Sequence, residues 1–379
     1  MYIKGAVKPM KNTSDLNIRS GNLRESNFEL LRIISMIFII AYHLVYYTGV
    51  NIFTQPNEIN KLWLLFIMLG GKVGVNAFVL ISGYFSVTAK NFKTSKALKL
   101  WTQIFTYSVV IFALFLSLRA EPFSIKGLAK AVFPITFSEW WFASAFFVMY
   151  LLSPFINKML LAFDKKTYIK YLAILTFGWC IIPSIFGVAW QCNELLWFIF
   201  LYSLAGYVRL HAKTTSIKSR TYILFSLLFA MLTFVSALVF EILGKKTDLF
   251  ASRIMFYYNS ARLPLAAASL LLFLGFRKIN IGHKKIINII ASATFGVYLL
   301  HDNYLIRDLL WKKLFKTADL LQSNVLIPYT IMAIAAVFAA CTVIELIRIY
   351  ALEKNYMKII NKLSSFIDSK IEKILSSHL

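Results

Sequence analysis

The sequence has few charged residues, and most of those it has carry one sign. Only 15% of its 379 residues are Asp, Glu, Lys or Arg, whereas 59% are hydrophobic and 16% are aromatic. An ordinary globular domain carries about 25% charged residues. The composition therefore excludes a soluble domain of ordinary type and is typical of a membrane-embedded protein.

Motifs of several enzyme classes are also missing. The three cysteines, Cys180, Cys192 and Cys341, are widely spaced and form no C-x-x-C pair, so neither a disulfide framework nor a zinc site is indicated. The chain contains no P-loop, H-E-x-x-H, G-x-S-x-G or EF-hand pattern. ATPases, zincins and soluble hydrolases are thereby excluded, and we expect no metal.

The charge of +24 comes from 41 Lys and Arg against 17 Asp and Glu. Nucleic-acid binding does not explain it, because no basic run on a soluble segment is interleaved with aromatic residues. Basic residues also collect in cytoplasmic loops and beside anionic lipid. We therefore expect membrane lipids as partners and no nucleic acid.

Apolar runs recur from residue 28 almost to residue 350. Their lengths and the basic loops between them predict an all-α polytopic membrane protein with about ten transmembrane helices and both termini in the cytoplasm. A cytoplasmic basic segment is predicted over 1–27, a transmembrane domain over 28–350, and a basic amphipathic helix on the inner membrane surface over 351–379. The predicted spans are 28–48, 62–87, 98–118, 140–161, 169–187, 195–210, 221–243, 262–276, 286–306 and 325–350.

The first span, "NFELLRIISMIFIIAYHLVYY", holds three ionisable residues in an apolar run. Arg32 and His43 differ by about 20° of helical phase and lie about 16 Å apart along the axis, and Glu29 is about 40° off the same stripe. Such residues usually face the protein interior or a wet cavity. Snorkelling of Arg32 to the interface, paired with Glu29, and a structural role for His43 remain alternatives.

Polar and amphipathic residues also interrupt the second and fourth spans. Glu139, Trp140 and Trp141 begin the fourth span and indicate either an interfacial aromatic belt or an acceptor pocket. The second span carries Lys72 and Asn76 among four glycines, which favour close helix approach or a backbone break.

In the ninth span, the helical rise sets His301 and the adjacent Asp302 at the level of His43, where they can order an imidazole or a water. A pair at the interface without a function is equally compatible with the pattern. At the start of the third span, Lys96 and Lys99 lie on one cytoplasmic face, which suits either lipid phosphate or an anionic cofactor such as coenzyme A.

These residues together resemble a known family. "FELLRIISMIFIIAYH" is similar to the opening helix of the integral-membrane acyltransferase-3 family, in which an acidic residue precedes an arginine by three, and ten residues separate that arginine from a histidine. "GVNAFVLISGYF", the "WWF" block and "SATFGVYLLH" follow in the family's order, so the resemblance covers residues 25–345. One difference is that Lys96 and Lys99 stand where the family commonly has two arginines.

The resemblance implies an O-acyltransferase in the cell membrane. It would move an acyl group, usually acetyl from cytoplasmic acetyl-CoA, to a hydroxyl of an envelope polysaccharide or its lipid-linked precursor. A polysaccharide exporter or flippase, with the charged stripe lining a transport path, is the leading alternative. A lipid or amino-sugar acyltransferase of another membrane fold is a further one.

The resemblance also implies roles for the residues. His43 would be the general base or a transient acyl carrier. Arg32 would bind the donor, assisted by Lys96 and Lys99, which keep the charge of arginine without its bidentate geometry. The residues expected to bind the acceptor are Glu139, Trp140, Trp141, His301 and Asp302.

Overall fold

The computed structural model describes residues 25–89, 92–212 and 215–377, and these form helices, turns and loops without a β-strand. Short 3₁₀ and π segments join several of the helices. The α-helices are α1 Ser26–Tyr47, α2 Glu58–Ser86, α3 Thr94–Ser117, α4 Ile125–Val132, α5 Trp141–Ala162, α6 Lys165–Thr176, α7 Ile182–Phe186, α8 Glu194–Leu210, α9 Ser219–Gly244, α10 Asp248–Ala251, α11 Leu263–Arg277, α12 Lys285–His301, α13 Tyr304–Asp308, α14 Leu326–Ile347 and α15 Lys354–Ser377.

Most helices follow the apolar runs, and polar side chains mark where several of them begin. The side chains of Asn57, Asp164 and Asn193 accept hydrogen bonds from backbone N–H groups in the first turns of α2, α6 and α8. Each bond satisfies a donor that has no partner inside the helix. The polar residues between apolar runs therefore set the helix boundaries.

The chain is an all-α polytopic membrane protein. Eight helices in the described part are long and apolar enough to cross a membrane. Helices α8 and α12 have 17 residues each, the lower limit of the usual spanning length of about 17 to 25. Every predicted span overlaps a helix, while the count of ten crossings and the cytoplasmic location of the termini stay predictions. Most of the predicted 1–27 segment lies outside the described residues.

The ninth predicted span ends earlier than expected. Helix α12 stops at His301, not near residue 306, and Asn303 caps the short helix α13 that follows by accepting from Leu305 N. Apolar residues resume at Tyr304, Leu305 and Ile306, so hydropathy averaged over the span does not reveal the break. The break places His301 and Asp302 at the end of a helix.

Helix α2 is unbroken over its 29 residues, and its glycines serve close packing. A Cβ at Gly74 would lie 2.5 Å from the Ser35 carbonyl oxygen of α1, closer than any real contact. Only glycine allows the two helices to approach this closely.

Helix α1 lies at the centre of the bundle, in contact with α2, α11, α12 and α14. It runs parallel to α12, since Ser26 Oγ donates to Asn288 Oδ1 (2.9 Å) near the start of both helices and His43 meets His301 near their ends. We call the side of the bundle where α1 and α12 begin the lysine end, because α3 also begins there, with Lys96 and Lys99. The opposite side is the histidine end.

Candidate active site

The ionisable stripe of α1 points into the protein. Glu29 and His43 are buried, at 5% and 7% exposure, and Arg32 is partly buried. Arg32 Nη1 donates to Glu29 Oε1 at 2.8 Å, so the pairing expected at this spacing is present. Because a guanidinium has five N–H donors, this bond leaves donors of Arg32 available for another group.

His43 and His301 form a directional hydrogen-bonded pair. His301 Nδ1 lies 2.6 Å from the Val297 carbonyl oxygen, which can only accept, so this nitrogen carries a proton. In a neutral ring the other nitrogen, His301 Nε2, is then an acceptor. It lies 3.0 Å from His43 Nδ1, which must donate to it. His43 Nε2 is therefore unprotonated in the neutral pair and can accept a proton.

Asp302 completes this cluster with a buried carboxylate. Its Oδ1 lies 3.7 Å from His43 Nδ1 and accepts a 2.7 Å hydrogen bond from Tyr47 Oη. Arg307 Nη1 lies 3.1 Å from that same hydroxyl and donates to it. A carboxylate at this distance favours an imidazolium on His43 when the ring takes up a proton.

The three residues at the start of α5 have different surroundings. Glu139 forms an ion pair with Lys130 at 2.8 Å. Trp140 is 1% exposed and belongs to the core, so its ring offers no face to a sugar, contrary to the expected stacking role. Trp141 lines a cavity of about 180 Å³ at the histidine end, together with Trp179. Of the two tryptophans, only Trp141 is placed to contact an acceptor.

Lys96 and Lys99 face two separate cavities at the lysine end. Lys99 forms an ion pair with Glu353 and lines a polar cavity of about 480 Å³ between α3, α12 and the end of α14. Lys96 lines a second cavity of about 410 Å³ with Lys93 and Lys158. The charge of Lys99 is partly neutralised, whereas the three lysines of the second cavity form no ion pair within the described part of the chain.

A buried acid, Glu345, lines the Lys99 cavity. Glu345, at 0% exposure, accepts from Gln103 Nε2 at 2.9 Å, from Tyr107 Oη at 2.5 Å, and from Nε and Nη2 of Arg348 at 2.7 Å each. Gly296 of α12 provides the space, because a Cβ there would overlap the carboxylate. Four donors therefore hold this carboxylate in one position.

Comparison with known families gives an assignment that is independent of these contacts. The family model described as an acyltransferase domain, acyltransferase-3, matches residues 25–346. The chain belongs to the acyltransferase-3 family. It is therefore a membrane acyltransferase, as the resemblance predicted. No curated protein and no solved structure matches the chain.

In this acyltransferase α12 connects the Lys99 cavity with the histidine pair. Glu345 lines that cavity, and its carboxylate packs against Gly296. His301 follows Gly296 by five residues, about 8 Å of helical rise. Measured along α12, the Glu345 carboxylate therefore lies about this far from the level of the pair.

The sequence pattern alone does not single out several residues of the candidate site. Tyr47 follows His43 by four residues, a spacing that puts both on one helix face and was available as a signal. Glu345 and Arg348 repeat, at the end of the last apolar run, the acid-x-x-arginine spacing of the first helix. Arg307 lies beyond α12, and only the fold brings it to Tyr47.

Proposed function

We propose that this acyltransferase moves an acyl group, in the first place acetyl, from cytoplasmic acetyl-CoA to a hydroxyl of a cell-envelope polysaccharide or its lipid-linked precursor. The membrane would be the cell membrane. The observation that carries the proposal is the direction of the hydrogen bond from His43 to His301, which leaves His43 Nε2 free. A hydroxyl is a weak nucleophile, and a base of this kind activates it.

The reaction then follows from the pair. The acceptor oxygen attacks the thioester carbonyl carbon while His43 Nε2 takes the hydroxyl proton. The tetrahedral intermediate collapses, the C–S bond breaks, and the imidazolium returns the proton to the leaving thiolate. The products are an ester and free CoA. During the charged stage the Nδ1–H bond to His301 and the nearby Asp302 carboxylate stabilise the imidazolium.

The donor is proposed to bind from the lysine end. Lys96, with Lys93 and Lys158 in the same cavity, offers unpaired cations for phosphate groups. Lys99 lines the cavity that is also lined by Glu345. Arg32 is assigned to the donor's carbonyl or phosphate oxygens through those N–H groups that Glu29 does not occupy.

The acceptor is proposed to approach from the histidine end. Trp141 and Trp179 line one cavity there, and aromatic faces of this kind can pack against a sugar ring. Glu139 is held by Lys130 and retains a second carboxylate oxygen for a sugar hydroxyl.

His43→Ala tests the transfer function in cells. The expected result is normal export of the surface glycan with loss of its ester-linked acyl groups, measured by mass spectrometry. His211→Asn, a histidine at the lysine end outside this cluster, is the matched control and should leave acylation unchanged. Loss of modified and unmodified glycan together from the His43→Ala surface would instead support the exporter alternative.

Labelled acetyl-CoA with purified protein tests the donor assignment. Arg32→Ala should raise the KM for acetyl-CoA at least tenfold, because a charged hydrogen-bond donor is lost. Equal labelling by the variant and the wild type at low acetyl-CoA would remove Arg32 from the donor site.

A further inference from the structure

Lys72 is a cation at the level of His43 that the mechanism above does not use. Its Nζ lies 5.1 Å from the ring centroid of Tyr42 and 5.4 Å from that of Trp141. The rings of Tyr42 and His43 are 5.8 Å apart between centroids. The ammonium is thus separated from the proposed base by one aromatic side chain.

No carboxylate neutralises this cation directly. Among the residues that the structure describes, Lys72 has no ion pair or hydrogen bond, and Asp302 and Glu194 act on it only through space. Asp302 accepts from Tyr47. The two aromatic faces favour a cation between them but leave its charge in place. The charge of Lys72 therefore remains available to a ligand.

The ammonium also borders the space open to an acceptor. Lys72 lines a cavity of about 500 Å³ with Asn51 and Asn259. Asn259 also lines the smaller cavity of Trp141, so the two cavities adjoin. The described residues that line them do not include His43. A glycan in these cavities would meet Lys72 before one of its hydroxyls reached the base.

We propose that Lys72 determines acceptor specificity by binding an anionic group of the glycan, either the carboxylate of an acidic sugar or a phosphate. An unpaired ammonium in a partly dehydrated site attracts an anion more strongly than it would in water. Because it lines one of the cavities and lies against Tyr42, the chain neighbour of His43, it orients an acidic sugar for attack and gives a neutral glycan no such contact. This inference rests on the proposed acyl transfer to a glycan.

The test uses the protein's own acceptors. Envelope glycans from cells lacking this protein are de-esterified, separated by anion exchange into neutral and acidic fractions, and incubated with purified enzyme and labelled acetyl-CoA. We expect the label in the acidic fraction. Carboxyl reduction of that fraction abolishes labelling if the anion is a carboxylate, and dephosphorylation abolishes it if the anion is a phosphate.

Variants of Lys72 test whether the preference for the acidic fraction depends on this residue. Lys72→Met should lower kcat/KM for the acidic fraction at least tenfold through KM, and Lys72→Arg should restore most of it. Lys61→Met is the matched control, because Lys61 lies on the same helix but is ion-paired with Glu58 and Glu241. Thermal unfolding of each variant identifies loss of folding, in which case Lys72→Gln at lower temperature replaces Lys72→Met.

Each other outcome has a definite meaning. Label in the neutral fraction overturns the proposal that Lys72 recognises the charge of the acceptor. An equal loss of activity on both fractions in Lys72→Met overturns it too. Labelling that survives both carboxyl reduction and dephosphorylation overturns it as well. Absence of label from both fractions with wild-type enzyme contradicts the proposed function itself, which separates the two failures.

Discussion

The hydrogen bond between His43 and His301 predicts by how much His301→Leu should lower kcat. Leucine removes the acceptor of His43 Nδ1–H, a bond 3.0 Å long that becomes charge-assisted when His43 takes up a proton. Such bonds contribute about 1.5–3 kcal/mol. Because 1.4 kcal/mol corresponds to a factor of ten, kcat should fall about 10- to 150-fold. The KM for acetyl-CoA should stay unchanged, because the contacts proposed for the donor lie at the lysine end.

The assay is single-turnover transfer of labelled acetyl from CoA to de-esterified glycan. His301→Gln is the matched variant, since its amide oxygen can accept from His43 and its NH₂ can donate to Val297 O. It should stay within about tenfold of wild type. Wild-type kcat in His301→Leu would refute the reasoning, and so would equal losses in the leucine and glutamine variants.

Two further substitutions test the packing around the site. Gly296→Ala should lower the free energy of unfolding by about 3–5 kcal/mol, because the new Cβ displaces the Glu345 carboxylate from its buried ion pair. The measurement is thermal unfolding in detergent, and a midpoint equal to that of the wild type would contradict this packing. Asn76→Leu should lower stability by about 1–3 kcal/mol, because it leaves the buried Trp197 Nε1–H, now 2.9 Å from Asn76 Oδ1, without an acceptor. Thermal unfolding in detergent also measures the stability of this variant, and an unchanged midpoint would show that another group accepts the Trp197 hydrogen bond.

Helix positions were largely predictable, because each apolar run had to bury its own backbone hydrogen bonds. The helical repeat also placed Glu29, Arg32 and His43 on one stripe, and the rise per residue set His301 at the height of His43. These are local properties of a regular helix. They hold whatever the neighbouring helices are.

Contacts between helices were not predictable in the same way. Lys96 and Lys99 lie one turn apart, yet they face different cavities because α5 packs on one side of α3 and α14 continues past the other. Trp140 and Trp141 are adjacent, but Trp140 is buried in the core and Trp141 borders a cavity. Tertiary packing determines which side of a helix is covered by a neighbour, and the 3.6-residue repeat of the sequence carries no information about that packing.

The carbonyl of Val297 that fixes the direction of the histidine pair also limits where protons can go. A relay through His301 would require its Nδ1 proton to pass to an acceptor that can keep it, and a peptide oxygen cannot. In the proposed mechanism the imidazolium proton therefore leaves from His43 alone, to the thiolate or back to the acceptor. Because the series of hydrogen bonds stops at the Val297 carbonyl, the pair offers no path that conducts protons along the bundle.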